Sequence, residues 1–254
     1  MGRDAVFQSL MSDGLTQYED RNYQKALEKF SQAMLRQPSS TRARFWVGAS
    51  HYHLGNISQA RHHLERVIES RELPIPERPA AAFEYLARCF MAADTKQAID
   101  LAERGVRRDG KDARVRLILG NAHLRLEQLK EALHQYDEAW ELEGRRTGRP
   151  AFPAHPGQVP FARSAALIQL KRWDEALDAV EDALHRDPEN GSFYKRKSVV
   201  LFDGLKKIEE AVAAVERAIE LDPETVGTGN DGVYYYNHSH YLEKLNRNDK
   251  ALEA

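Results

Sequence analysis

The apolar positions of this chain follow a helical period, and the period itself recurs. From Leu117 to Glu143 the residues LILGNAHLRLEQLKEALHQYDEAWELE predict two helices with a tight turn near Glu127–Leu129. In the second helix Ala132, Tyr136 and Ala139 stand at i, i+4 and i+7, one stripe of a helix. The two alanines let a neighbouring helix come close, and Tyr136 fills the space between. The stripe's first alanine recurs as Ala26, Ala60, Ala98, Ala132, Ala176, Ala211 and Ala251, at spacings of 34, 38, 34, 44, 35 and 40 residues. Its i+4 companions are Phe30, Leu64, Ala102, Tyr136, Val180 and Val215. A helix pair of this kind cannot bury both faces alone, so each pair needs a neighbour on either side.

A small residue opens each close contact (Gly14, Gly48, Ala87, Gly120, Ser164). A large one starts most second helices (Tyr23, Ile57, Leu129, Trp173, Ile208), and a proline closes several units (Pro38, Pro188, Pro223). With a base period of 34, this pattern resembles the tetratricopeptide repeat (TPR) family over about residues 7 to 254. The resemblance implies an all-α fold, a right-handed superhelical solenoid of antiparallel helix pairs. The expected division is a single TPR-like solenoid of about seven repeats, at 7–40, 41–74, 80–111, 113–146, 157–190, 191–224 and 232–254.

The departures from the period carry their own expectations. The prolines of 72–79 predict a rigid extended linker. Repeat three has a thin second helix (Ala98, Ala102, Gly105) and a turn at Ala93–Thr95 that is one residue short. Locally weaker or tighter packing is expected there. Repeat six has one extra residue in its turn, at Asp203–Lys207. The Pro/Gly/Arg-rich insertion at 144–160 reads first as a solvated loop and second as a contact loop with a basic tip. The last repeat stops within its second helix. That predicts a chain truncated at residue 254, with Val233, Tyr235, Leu242 and Leu245 poorly covered and a terminal repeat that frays or is covered by a neighbouring molecule.

Composition narrows the function more than the fold. The formal net charge is −2, so no global field points to nucleic acid or membrane. Cys89 is the one cysteine, which fits a reducing, cytoplasmic setting. Residues 227–232 spell Gly-Thr-Gly-Asn-Asp-Gly, but a helix and Pro223 precede them where a dinucleotide site needs a strand. His51, His53, His62 and His63 lack the spacing of a zinc site. No nucleophile, acid–base pair or cofactor motif emerges, so no enzyme activity and no cofactor are expected.

The resemblance implies protein binding in a concave groove lined by the first helices. Counted in the repeat frame, the groove residues are Arg42, Phe45, Trp46, Tyr52, His53, Tyr85, Arg88, Arg114, Asn121 and Arg125. Aromatic residues and arginine dominate binding hot spots. The inward charges of repeats two to four are four arginines against Glu84, which favours a protein or peptide ligand with acidic and apolar residues. Some family members grip a chain end carrying two carboxylates with lysine, asparagine and arginine at fixed positions. Here only Asn121 fits. Leu117 and Ala162 replace required residues, and Arg196 comes with Phe193 or Ser192 in place of lysine, so that ligand is not expected. The rival readings are a substrate-recognition or regulatory arm of a larger multidomain enzyme, and a self-associating scaffold.

Overall fold

The computed structural model describes residues 3–70, 75, 78–145, 156–221 and 231–244. Among these all regular structure is helical, and the chain forms two compact units, Met1–Leu126 and Glu127–Ala254.

The first unit contains α1 (Arg3–Glu19), α2 (Tyr23–Arg36), α3 (Thr41–His53), α4 (Ile57–Ile68), α5 (Ala81–Phe90), α6 (Thr95–Arg108) and α7 (Ala113–Arg125). α1 packs on α2, α3 on α4 and α5 on α6, as successive hairpins. Each second helix also packs on the next first helix, and α5 touches both α3 and α7. The second unit holds α8 (Leu129–Arg145), α9 (Gln158–Gln169), α10 (Trp173–Arg186), α11 (Gly191–Val199), α12 (Ile208–Leu221) and α13 (Asp231–Lys244). There α9 pairs with α10 and α11 with α12, while α8 packs on α9 and α13 on α12.

The alanine stripe is the reason the helices can meet. Ala26, Ala60, Ala98, Ala132, Ala176 and Ala211 are all fully buried, and so are their large companions Phe30, Leu64, Tyr136, Val180 and Val215. The small residue on the first helix faces that companion. A Cβ added to Gly14 would sit 2.5 Å from the Phe30 ring, and one on Gly48 would sit 2.9 Å from Leu64. The acids of α10 lie on the other side, where Asp174, Asp178, Glu181 and Asp182 are exposed.

The turns inside the hairpins share one device. Arg21, Gly55, Glu127, Lys171 and Lys206 all have positive φ, each two residues before the second helix of its repeat. Repeat three lacks such a residue. Its shorter turn is closed by Asp94, whose carboxylate accepts from the Gln97 N–H at 3.0 Å and caps α6. Packing is tight beside it. A Cβ on Gly105 would lie 2.6 Å from Val115 and 3.0 Å from Phe83, so the thin helix lets α5 and α7 close in.

The extra residue of repeat six does not lengthen the turn. It is taken up inside the first helix as a π-helical stretch, Val200–Gly204, directly after α11. Gly204 then sits against the Trp173 ring.

In α13, Leu242 is 1% exposed and packs with Leu201, Ala211 and Val215, so the expected poor cover does not hold for it. Neighbouring Tyr241 stacks on Phe202 at 4.1 Å. The side chains of Val233 and Tyr235, all of Leu245, and residues 249–254 lie outside the described residues. So do most of the glycine-rich run at 227–232 and the middle of the 144–160 insertion.

Candidate functional site: an aromatic and arginine face on the first unit

The first helices α1, α3 and α5 bring aromatic side chains from three repeats together. Tyr18 of α1 lies edge-on to Tyr23 (5.2 Å), Trp46 (4.9 Å) and His53 (5.4 Å). Its hydroxyl is 2.8 Å from that of Tyr85 on α5. His53 stacks flat on Tyr23 at 4.3 Å and reaches the Tyr85 hydroxyl at 3.4 Å. Tyr52 meets Tyr85 edge-to-face at 5.6 Å. Ring contacts of this kind add stability beyond the area they bury, so the cluster is a stiff surface.

Individual members differ in what they offer a ligand. Trp46, Tyr52 and Tyr85 are half-buried and His53 is exposed. Phe45 is 1% exposed and lies beneath them, against Trp46 and Tyr85. Burial pushes the Tyr18 and Tyr85 phenols up, so both stay protonated. Although His53 as a whole is exposed, its ring is packed between Tyr23 and Tyr85, and that partial loss of water lowers it, with Arg88 adding to the effect. The indole N–H of Trp46 is buried and finds no hydrogen-bond partner among the described residues.

Beneath the rings sits a buried ion cluster. Glu84 is 3% exposed and lies between two arginines. Arg88, four residues on along α5, pairs with it at 2.9 Å, and Arg78 donates to its other oxygen. Arg78 also pairs with Asp112 at 3.1 Å, and Asp112 caps α7 through the Arg114 N–H. Burial alone would raise Glu84, but Arg88 and Arg78 hold it down at about 2. Arg88 is raised in return: burial opposes its charge and Glu84 more than restores it. Arg114 is lowered, first by burial and then by Arg78.

The four-to-one excess of inward arginines therefore overstates the free positive charge. Arg88 is committed to Glu84, whereas Arg42 and Arg125 are exposed and Arg114 and Asn121 are half-buried. Sequence reasoning missed Tyr18, Tyr23, Arg78 and Asp112. Tyr18 was within reach, since it occupies in repeat one the frame position that Tyr52 holds in repeat two. Arg78 lies in the inserted linker, where the repeat frame gives no signal.

Among the histidines, His51 and His63 stack at 5.8 Å across α3 and α4, a pairing their sequence separation conceals. Burial and the neighbouring His51 lower His63 to about 4. Among the described residues no group of three His, Cys, Asp or Glu side chains is arranged to hold a metal ion. No helix there is long and apolar enough to cross a membrane.

Comparison with solved structures finds the same fold in proteins of low sequence identity. A subunit in the crystal structure of the APC/C hetero-tetramer Cut9–Hcn1 superposes with a TM-score of 0.79 at 15% identity. It covers 92% of this chain, and this chain spans 42% of that one. A thermophilic TPR protein of Thermus thermophilus gives 0.62 at 19% identity, covering 77% of this chain and 99% of its own. MamA from Desulfovibrio magneticus gives 0.56 at 19% identity, covering 68% and 89%. No curated protein matches significantly. The profile of the tetratricopeptide repeat matches residues 13–61, 92–150 and 161–224, more than half of the chain. The chain belongs to the tetratricopeptide repeat family.

Proposed function

We propose that this protein is an interaction scaffold, and that the first unit binds an extended segment of a partner protein across the face of α1, α3, α5 and α7. The observation that carries this reading is the ring cluster of Tyr18, Tyr23, Trp46, Tyr52, His53 and Tyr85, which joins three repeats and remains partly open to solvent. A closed helix seam would cover such rings. Here they offer flat apolar faces with phenol and imidazole edges, the surface on which binding hot spots form.

Arg42, Arg114 and Arg125 on α3 and α7 favour a segment with acidic residues between its apolar anchors. The exposed pair contributes mainly to steering, and salt screens it. Asn121 on α7 fits a main-chain contact with an extended ligand. The Cut9–Hcn1 relative is itself part of a hetero-tetramer, which agrees with a binding role without naming a partner for this chain.

The test is capture of partners from cell extract by the folded chain, followed by mapping of the bound segment and titration with the matching peptide. Arg88→Glu is a poor variant for this purpose. It would set a second carboxylate against buried Glu84 and unfold the local packing. Tyr52→Ala and Arg42→Glu change the face and spare the ion cluster. Each should weaken the mapped peptide by about 1–3 kcal/mol while circular dichroism stays unchanged. A peptide that binds both variants as tightly as wild type does not use this face.

A further inference from the structure

The seam between α3 and α4 gathers basic side chains on the side of α3 that the aromatic face does not use. From Thr41 to Ser70 the chain carries four arginines and four histidines against two glutamates, in a protein whose formal net charge is −2. On α3, Arg44 and His51 share the helical stripe of Gly48, the residue that lets Leu64 of α4 close in. Trp46 and His53 leave α3 on the opposite side. On α4, His63 lies beside the same glycine: a Cβ added there would stand 3.3 Å from the His63 Cβ. The His63 ring stacks on His51 at 5.8 Å, and His62 meets it edge-on at 5.4 Å. Arg44 Nη2 donates to the Pro38 carbonyl at 3.0 Å, which anchors this guanidinium at the turn between α2 and α3. Arg66 is exposed, one turn along α4 from His63.

Opposite charge is what this seam lacks. Arg61, on the other flank of α4, has Glu65 at 3.9 Å and the Phe90 ring 3.9 Å from its guanidinium carbon. Arg44 and Arg66 pair with no carboxylate among the described residues, and Glu69, one turn beyond Arg66, makes no ion pair with it there. Burial lowers the His63 imidazole to about 4, and His51, His62, Arg44 and Arg66 all act in the same direction. His63 Nδ1 is buried without a hydrogen-bond partner among the described residues, so no such bond holds the ring in its present orientation. Two guanidiniums gathered without a counter-charge repel, and their open N–H edges forgo charge-assisted bonds. An anion seated between them answers both deficits. Two arginines suit a group with two negative charges and several acceptor oxygens, because each planar fork engages two oxygens at once.

We infer that Arg44 and Arg66, backed by His51 and His63, form a binding site for the dianion of a phosphate monoester on the seam of α3 and α4, independent of the aromatic face. Arg44 is the preset member, held by Pro38, and Arg66 is the solvent-exposed one that closes over the anion. A half-turn of the His63 ring brings Nδ1 out of the packing without breaking a hydrogen bond found among the described residues. A small free ester and a phosphorylated serine of a partner segment present the same group.

The experiment uses the full chain at about pH 7.5, where a phosphate monoester is mostly a dianion because its second pKa is about 6. Chloride holds the ionic strength constant. The probes are glycerol phosphate and a blocked alanine–glycine decapeptide carrying one phosphoserine, with its unphosphorylated twin as control. Binding is followed by NMR at the His51 and His63 ring signals and the backbone amides of α3 and α4. The expected result is a saturable shift with a phosphorylated probe and none with the serine twin. Arg44→Gln and Arg66→Gln should each weaken binding by about tenfold, since each removes a charge-assisted contact. Arg66 is exposed, so Arg66→Gln should keep the wild-type melting temperature and carries the test even where Arg44→Gln disturbs the α2–α3 turn. Binding of the phosphopeptide assigns the site to phosphorylated segments, and binding of glycerol phosphate alone assigns it to free esters. No shift with either probe, shifts that do not saturate, shifts that chloride alone reproduces, or undiminished binding to Arg66→Gln would each overturn the inference. Tyr52→Ala, which alters the aromatic face, should leave this titration unchanged, and a matching loss there would refute the independence of the site.

Discussion

Replacing Glu84 by glutamine tests whether the ion cluster under the aromatic face holds α5 in place. The substitution keeps the shape and removes the charge that Arg78 and Arg88 share. A carboxyl held at about 2, against its ordinary 4.5, corresponds to about 3 kcal/mol of stability at neutral pH. Breaking a buried pair by removing one partner costs about 3–5 kcal/mol. Here the Arg78 and Arg88 side chains retain 21% and 27% exposure, and Arg78 keeps Asp112, so water and the second carboxylate relieve part of the loss. The expected loss is therefore at the lower end, about 2–3 kcal/mol. Its pH dependence has a definite sign. Because the folded-state value is depressed, the contribution is fully present above about pH 4.5 and is lost as pH falls toward 2. Wild type and Glu84→Gln should thus differ at pH 7 and converge near pH 2. Urea unfolding gives the overall difference. Amide exchange along α5 gives the local one, which matters because neighbouring repeats can open separately. A difference below about 1 kcal/mol at pH 7, or a gap of equal size at pH 7 and pH 2, would refute the assignment of stability to this charge.

Two close approaches give simpler tests. Gly14→Ala puts a methyl group 2.5 Å from the fully buried Phe30 ring, which has no room to withdraw, so a loss of about 1–3 kcal/mol in urea unfolding is expected. Gly204→Ala runs into the Trp173 ring, but that ring is half-buried and can swing outward; a loss of about 1 kcal/mol with a red-shifted tryptophan emission is expected.

The packing stripes were legible because each rests on spacing alone. Ala26, Phe30 and Ala33 bury one face of a helix whatever their neighbours are, and the same holds for Ala176, Val180 and Ala183. The aromatic face was legible in part. Trp46, Tyr52, His53 and Tyr85 follow from counting inward positions in the repeat frame, and the same count in repeat one would have added Tyr18. The stack of Tyr23 on His53 could not be counted, because Tyr23 opens a second helix and reaches the face only through the turn geometry at Arg21. The charges were least legible. Arg78 pairs with Asp112 one repeat length away, but it does so from inside the inserted linker, to which the repeat frame assigns no position. Composition counted Arg88 as available when Glu84, one helical turn earlier, already held it.

Repeat six shows why irregular residues settle where they do. Its extra residue could have lengthened the turn before α12, as the sequence suggested. The turn instead keeps the left-handed residue found in the other hairpins, Lys206, two positions before Ile208. Moving that residue would rotate α12 and take Ala211 and Val215 off the core they fill. A π-helical turn at Val200–Gly204 costs only local hydrogen-bond geometry and leaves the second helix in register. It also brings Gly204 under Trp173, where a larger residue would push the ring aside. The same constraint operates in repeat three, where a turn without the left-handed residue is closed by the Asp94 cap and α6 still buries Ala98, Leu101 and Ala102. In this chain the second helices hold the packing frame. Variation falls on the first helices and on the insertions, the elements that carry the aromatic face and Arg78.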